Sequence, residues 1–476
     1  MIRWLLDRFT MRKPDAVRRF EGAGAGRRFA GLLPFGNATT ATLAANPTLR
    51  GRQRTQASNN VWLSNGVAAM KAAAVGTGIK PQSIHPDPAT RAKLQAMWTR
   101  WIDRADIEGR SDFYGFTARL WGTTIVDGES FVRFETVGRD LRLRHIPAEQ
   151  VDSGHTSATT ADGGRIIGGV EFDANGVRTA YHVFRDPPGA PLPASLAFER
   201  VRVPAADMVH LFDPTWPGQV RGVSPLSTVL LRLHELDQLE DAQLVRIKLG
   251  AMLAGFIRGG DESGAGFDGK QTGGVLESGL EPGTLKVLPQ GAEISFSDPV
   301  EPGNVSEWIK LQLHGIAAGI GVTYEQLTGD LGSVNYSSIR AGLVEFRRRI
   351  EMLQHNVLVF QFCRPVWRRL VLLAILRGEL PDDGKPETFE AYCAVNWIPP
   401  GWDWVDPQKD ADADATAIAA GLKSRREVVA SRGYDIEQLD AEIAADRARE
   451  KALGLQFAAP AKPAAAPKPE EVKANA

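Results

Sequence analysis

The chain has 476 residues, with 56 Lys and Arg against 57 Asp and Glu and 43% apolar residues, an ordinary globular composition that excludes a disordered chain and suits about two to four structural units. Its longest apolar run, Leu370 to Leu376, is seven residues against the roughly 20 that a helical membrane span needs, so a transmembrane role is excluded. The two cysteines, Cys363 and Cys393, stand in neither a CxxC nor a Cys/His cluster, so neither a disulfide framework nor a metal-ligand set is expected.

Charge is uneven along the chain. Met1 to Asn60 holds eleven Lys/Arg and three acids, a net +8 that leaves −9 for the rest. A basic arm on an acidic body can contact nucleic acid or an acidic partner, and it can equally be a solvated terminus. Arg3, Asp7 and Arg8 break the first apolar run before a signal-peptide core forms, so cytosolic synthesis without export is expected. After the arm, the spacing predicts helices over Asn59 to Gly78 and Pro88 to Asp103. Strands follow at Ile125-Val126, at Ser130 to Phe134 beyond an Asp127-Gly128 turn, and at Leu141 to His145. Val170 to Phe172 and Val177 to Phe184 flank an Asn175-Gly176 turn. Turns rather than helices join these strands, which points to α+β and against a doubly wound sheet.

Ser224 and Pro225 open a helix of about thirty residues, roughly 45 Å long at 1.5 Å per residue. A glycine-rich stretch and a hairpin follow, with Leu285 and Val287 across Pro289-Gln290-Gly291 from Ile294 and Phe296. Ile257 to Gly303 holds eight acids and three bases, an acidic projection between helices. Asn304-Val305-Ser306-Glu307 reads as a capping box opening the next helix. Beyond a polar loop from Thr328 to Tyr336, Ile339, Leu343, Phe346, Ile350, Leu353, Val357 and Phe360 repeat at 3.5 residues and define one apolar helical stripe. Pro365 should kink that helix against the Gln361 carbonyl. Arg347, Arg348 and Arg349 are either a DNA contact or, more often for such a run, a solvated or salt-bridged face. Ala-rich helices then run to Leu453, and the Ala/Pro/Lys/Glu tail from Phe457 reads as disordered.

Catalytic patterns are missing. No GxSxG, HExxH or Cys/His spacing occurs, and the eight histidines are scattered. Gly264 to Lys270 has GxxxxGK spacing, but Gln271 stands where a phosphate loop needs a hydroxyl. Asp410, Asp412 and Asp414 lack the glycine and bidentate Glu of a calcium loop and read as favourable charge near a helix N-terminus. No catalytic residue, metal or cofactor is assigned.

The ordered segments Leu49-Arg50-Gly51-Arg52-Gln53-Arg54, Asn59-Asn60, Val75 to Ile79, Gly218 to Leu226, Thr328-Gly329-Asp330, Val334 to Arg340 and Val405-Asp406-Pro407 closely resemble the lambda family of tailed-phage portal proteins, from about Leu49 to Leu453. That resemblance implies a multidomain α+β portal fold of wing, helical stem, clip and crown assembling into a ring of about twelve subunits. The implied divisions are a basic arm (1–57), wing (58–223), first stem helix (224–256), clip (257–303), second stem helix (304–321), tunnel loop (322–338), kinked spine helix (339–378), wing return (379–407), helical crown (408–455) and disordered tail (456–476). Thr328, Gly329, Asp330, Gly332, Ser333, Asn335 and Tyr336 would lie near the DNA. Glu277, Glu281, Lys286, Glu293 and Asp298 of the clip would dock the terminase large subunit and then a head–tail adaptor. Double-stranded DNA would pass without sequence preference, and major capsid and scaffold proteins would be further partners. No membrane partner is implied; the place would be the portal vertex of the virion, reached from the host cytoplasm. The stem agrees physically: its four bases, Arg232, Arg246, Lys248 and Lys310, against five acids make a near-neutral wall that would not grip phosphates. Two alternatives are an ATP-driven packaging component using Gly264 to Gln271, and a capsid-associated hydrolase or protease using Ser337 or Ser338.

Overall fold

The computed structural model describes residues 36–160, 163–189, 191, 199–251, 255–258, 270–272, 275–277, 293–296, 304–332, 336–402 and 407–455. It mixes helix and sheet, as α+β requires. An N-terminal helix, Ala38–Asn59, is followed by a second at Val61–Ala74, which Asn60 caps by accepting from Leu63 N at 2.9 Å. Strand β1 (Lys80–Ser83) leads to the helix Pro88–Ile102, whose Asp87 cap and early proline are a helix-start signature.

The helix Phe113–Asp127 replaces the strand expected at Ile125-Val126. Phe113, Phe116, Leu120, Trp121, Thr124 and Ile125 form one buried stripe, so packing on a 3.6-residue period overrides the local β preference of Ile and Val. Asp127-Gly128 turns the chain, but as a helix C-cap: Gly128 has φ 88°, and a Cβ there would lie 2.3 Å from Ser224 N.

Strands β2 (Ser130–Val137) and β3 (Asp140–Ile146) form a hairpin; β4 (Arg165–Ile167), β5 (Val170–Phe172), β6 (Arg178–Phe184) and β7 (Arg200–Pro204) form a four-stranded antiparallel sheet in chain order. Strand β8 (Met208–Leu211) returns to the other edge of β2, giving the order β3-β2-β8 with Phe131 opposite both Ile146 and His210. A small core of Phe131, Ile146, Val170, Tyr181 and Val203 fills this part of the molecule.

Where the first stem helix is expected over 224–256, an α-helix occupies Leu230–Ala251 after a 3-10 turn at Pro225–Thr228, so it is shorter than expected. Strand β9 (Gly255–Arg258) begins within the last two residues of the expected span. Strands β10 (Lys270–Thr272) and β11 (Val275–Glu277) pair with each other, and β12 (Glu293–Phe296) pairs with β9. The hairpin expected across Pro289 to Gly291 lies outside the described residues.

The helix Val305–Ile320, expected as the second stem helix, begins without the expected capping box. Asn304 sits at φ 62°, ψ 32°, and its side chain makes no cap bond; a capping side chain reaches the first-turn amides from extended backbone, not from the left-handed region. The capping box is instead at Thr323 and Gln326, opening the short helix Tyr324–Thr328.

The spine helix starts at Tyr336 and runs as α-helix to Leu353, as i→i+5 π-helix from Gln354 to Cys363, and as α-helix again to Leu376. Just before Pro365, where a kink is expected, the helix widens, with Arg364 N bonded to Val359 O, and it continues as α-helix beyond the proline. One extra residue per turn also moves the stripe. Phe346, Ile350, Leu353 and Val357 are buried as expected, but burial then runs on through Leu358 and Val359 and resumes at Phe362, while Phe360 is 60% exposed. The helix Pro386–Cys393 and strand β13 (Val395–Ile398), paired antiparallel with β1, complete the body. Three C-terminal helices, Pro407–Ala419, Arg425–Ser431 and Ile436–Leu453, follow. The main core centres on Trp98, Trp101, Phe113, Phe116, Phe362 and Trp367.

Candidate functional site: stem, loop and the ionic junction behind them

The helix Val305–Ile320 packs against the segment from Pro225 to Ala251 through small residues. A Cβ on Gly319 would fall 2.3 Å from buried Val229, and one on Gly315 would meet the end of the Arg232 side chain. Leu233, Leu236, Leu313, Ile316, Ala317 and Ile320 are buried, whereas Leu231, Leu244, Val245, Ile247, Trp308 and Leu311 are left 45–73% exposed. Exposed apolar side chains in this number mark an interaction surface.

The loop is partly helical. Thr328 ends the short helix by donating to Tyr324 O at 2.8 Å, and Gly329 turns the chain at φ 74°. Asp330 accepts from Gly332 N at 3.0 Å, and its own N–H goes to Thr328 Oγ1. Its carboxylate also lies 3.5 Å from Tyr324 Oη and 4.0 Å from Lys310 Nζ on the second stem helix. Asn65, on the Val61–Ala74 helix, donates to Gln326 O and Leu327 O at 2.9 and 2.8 Å. The structure thus brings Thr328, Gly329, Asp330 and Gly332 into one turn, of which Asp330 approaches Lys310 on the helix Val305–Ile320, and places Tyr336 at the start of the next long helix. Ser333 and Asn335 lie outside the described residues.

Two residues of the expected clip fall on strands: Glu277 in β11 opposite Lys270, and Glu293 in β12 opposite Arg258. Glu281, Lys286 and Asp298 lie outside the described residues. Lys270 and Gln271 are in β10, so the GxxxxGK stretch leads into a strand rather than the helix N-terminus a phosphate cradle requires. Asp410, Asp412 and Asp414 are helical; Asp414 pairs with Lys423 and Arg432 at 3.3 Å. Among the described residues no group of three His, Cys, Asp or Glu is placed to hold a metal ion. The arginine triplet is a structural face: Arg347 lies over Trp402 at 5.2 Å, Arg348 pairs with Glu345, and Arg349 packs at Gly321.

Sequence reasoning missed the centre of the charge arrangement, Glu129. This carboxylate is fully buried and takes 2.9 and 2.6 Å bonds from Arg221 Nε and Nη2, 3.2 Å from Arg50 and 3.0 Å from the Gly222 amide. Its Oε2 also lies 3.0 Å from His210 Nε2. Arg221 spends its remaining donors on Gly168 O and Ala148 O. Burial alone would raise the Glu129 pKa, but the Arg221 charge and the His210 hydrogen bond override it and hold the carboxyl far below its ordinary range. Burial dominates at His210 and lowers it to about 4.

Nearby, Arg54 clamps Asp127 at 2.8 and 2.6 Å and Glu149 at 3.0 and 2.8 Å. The last third of the expected basic arm is therefore a folded helix whose Arg50 and Arg54 are internally neutralised. Asn46 donates to Gly222 O and Thr39 to Gly218 O, both at 2.8 Å. The motif containing Arg50 and the motif containing Gly218 to Leu226 thus meet in space at Glu129. A signal existed in the periodic Thr39, Thr42, Asn46, Arg50 and Gln53, but that stripe is polar.

A family model described as phage portal protein, lambda family, matches residues 25–354. The chain is 28% identical to the probable portal protein of Halomonas phage phiHAP-1, over 93% of this chain and 89% of that one. To portal protein B of Escherichia phage lambda it is 24% identical over 94% of each, and to the portal protein of Escherichia phage N15 it is 25% identical over 60% and 59%. Among solved structures it is similar to a chain of the virion of a native gene transfer agent particle, at TM-score 0.44, 15% identity, and 92% and 98% coverage of the two chains. A chain from the neck of a native gene transfer agent particle computed with C12 symmetry gives TM-score 0.44, 14% identity, and 88% and 99% coverage. The match over 25–354 settles the class of protein. This chain belongs to the lambda family of phage portal proteins.

Proposed function

We propose that this portal protein forms a ring of about twelve copies at one vertex of a capsid and is a non-enzymatic conduit for double-stranded DNA during packaging and ejection. The observation that carries the reading is the stem: two packed helices that leave six large apolar side chains exposed while their charges nearly cancel. Apolar faces seek neighbouring copies, and a wall with so few bases lets a polyanion slide. Family membership over 25–354 supports the same reading, and the loop from Thr328 to Tyr336, attached to the stem through Asp330, would face the DNA.

The proposed divisions follow the sequence: wing 58–223 with its return at 379–407, stem 224–256 and 304–321 with its helices at Leu230–Ala251 and Val305–Ile320, clip 257–303 and crown 408–455. The acidic clip docks the terminase large subunit and later the head–tail adaptor; capsid and scaffold proteins are further partners during assembly in the host cytoplasm. Twelve copies of 51.7 kDa come to about 620 kDa, so native mass and negative-stain images of the purified protein test the ring directly. A stable monomer or dimer in the presence of scaffold would overturn it. In an intact ring, Glu281→Lys should impair terminase or adaptor docking; normal packaging and tail joining by that variant would remove the clip assignment.

A further inference from the structure

Two Asn-Gly pairs occur in the chain, Asn65-Gly66 and Asn175-Gly176. In such a pair the following backbone nitrogen can attack the asparagine side-chain carbonyl, because glycine has no Cβ to hinder the approach and its backbone bends freely. The attack depends on what holds the two groups, and the fold holds the two pairs differently. Asn65 lies in the helix Val61–Ala74, and its carboxamide nitrogen donates to Gln326 O and Leu327 O at 2.9 and 2.8 Å. Gly66 is buried, and a Cβ there would lie 3.0 Å from Leu327. Helical backbone keeps the Gly66 nitrogen in the i→i−4 ladder, away from the preceding side chain.

Asn175 stands in the turn between β5 and β6, where residues 174–178 are all exposed. The backbone N–H groups of Asn175 and Val177 donate to Asp173 Oδ1 at 2.9 and 2.8 Å, so the turn is closed without the Asn175 carboxamide, which has no hydrogen-bond partner among the described residues. Gly176 has φ 81°, the left-handed position that such a turn gives to glycine. Its N–H donates to Asp173 O at 3.1 Å, a single bond at the surface. The nitrogen and the carboxamide are thus side by side in solvent, with one turn bond to break before they meet.

We propose that Asn175 is a site of spontaneous deamidation in the folded protein and that Asn65 is protected. The Gly176 nitrogen forms a bond to Asn175 Cγ and gives its proton to solvent base; the bond from Cγ to the side-chain nitrogen breaks, and that nitrogen takes a proton and leaves as ammonia. One water then opens the cyclic imide at either carbonyl, giving aspartate or its isomer with the backbone running through the side-chain carbon. Either product puts a negative charge in the turn. The Asp173 carboxylate is already taken up by the two amides it accepts from. A Cβ on Gly176 would lie 3.8 Å from Arg165 Nη2, and that guanidinium, 6.0 Å over the Phe172 ring, has no carboxylate partner among the described residues. The new charge therefore arises beside an unpaired cation, and the isomer lengthens the backbone of the turn that joins β5 to β6.

Peptide mapping by mass spectrometry tests this on the full-length protein held in mildly alkaline buffer, once folded and once in concentrated urea. In the folded protein, conversion of amide to acid at Asn175 should be at least about tenfold faster than at Asn65, which must first give up two carboxamide bonds. In urea neither pair is held, and the two rates should come together. The Asn175 peptide should also split into two products of equal mass, the aspartate and its isomer, on chromatography. Equal rates at the two asparagines in the folded protein, or conversion of Asn175 only in urea, overturns the inference. A rate difference of the same size in urea overturns it as well, because the neighbouring residues in the sequence rather than the fold would then set the rates.

Discussion

The junction around Glu129 and the stem are opposites. In the junction the chain buries charge: Glu129 and Arg221 are 0–1% exposed, and Arg50 is held beside them. In the stem it exposes apolar side chains: Leu231 is 73% and Ile247 67% exposed. A buried ionic cluster stabilises little on balance but fixes geometry, because any shift strands a charge in low dielectric. An exposed apolar helix face specifies little alone and gains its energy from whatever covers it. The comparison teaches that one part is finished within the single chain and the other is left open to association. Glu129 joins the N-terminal helix, β2 and the Gly218 to Leu226 segment, so the stem leaves the body from a fixed point.

The largest effect should follow from Glu129→Ala, which leaves Arg50, Arg221 and His210 facing one another without their anion. Breaking one side of such a cluster costs about 3–5 kcal/mol, and urea unfolding should show it as a lower midpoint. A midpoint within error of wild type would mean that the cluster is not the rigid joint described. Acid should come next. His210 and His145 are both lowered by burial to about 4 from the ordinary imidazole value of 6.5, so they are neutral in the fold and protonate on unfolding. Between pH 6.5 and 4 the unfolded chain binds more protons, and stability falls as pH falls, by on the order of 3 kcal/mol for each residue. Glu129, with its lowered value, contributes stability above the unfolded carboxyl pKa and loses it only at much lower pH. Unfolding midpoints at pH 7.5 and pH 5 measure the histidine contribution; equal midpoints would contradict the burial of both rings.

The same contrast explains how far the sequence could be read. Strands β3, β5 and β6, the helix after Asp87 and most of the spine stripe follow from ordinary apolar periodicity, and their residues pack as that periodicity requires. The N-terminal helix escapes because its buried face is Thr39, Thr42, Asn46, Arg50 and Gln53: the period is helical but the side chains are those of a surface. Glu129 escapes for the same reason, since a lone acid at the start of a strand predicts solvent, and its three cationic or imidazole partners come from positions 79 to 92 residues away. Phe360 is a failure of extrapolation, because a heptad repeat assumes constant pitch and the π stretch changes it. Of the loop expected from Thr328 to Tyr336, Thr328 closes a short helix and Tyr336 opens the next, and the contacts of this segment through Asn65 and Lys310 were not legible, as both are polar residues on helices distant in sequence.

A smaller effect separates the two glycines where the stem helices cross. Gly319→Ala puts a methyl against Val229, which is β-branched and buried and cannot yield, so overpacking should cost about 1–3 kcal/mol. Gly315→Ala meets only the mobile end of Arg232 and gains helix propensity, about 0.5–1 kcal/mol in the stabilising direction. Thermal unfolding of the pair should therefore move in opposite directions. Shifts of the same sign would show that the helices do not cross as closely as the Cβ positions indicate.

The smallest effect on the single chain should come from the stem surface, and there the comparison is sharpest. Ile247→Asp changes a side chain that touches solvent over most of its area, so the unfolding free energy of the dissociated chain should stay within about 0.5 kcal/mol of wild type. Assembly should respond quite differently. If the exposed face is covered by neighbours, every copy in a ring brings the same carboxylate into an apolar contact, and the unpaired charge is desolvated at each interface. Native mass should then fall from about 620 kDa, the twelvefold multiple of 51.7 kDa, toward that of one or a few chains, while Glu129→Ala should lower stability without creating such a charge at an interface. A variant that keeps its native mass and its ring would show that Ile247 faces solvent in the assembly. The closing contacts would then have to be sought at Leu231, Trp308 and Leu311, nearer the body, where the joint at Glu129 sets the angle of the stem.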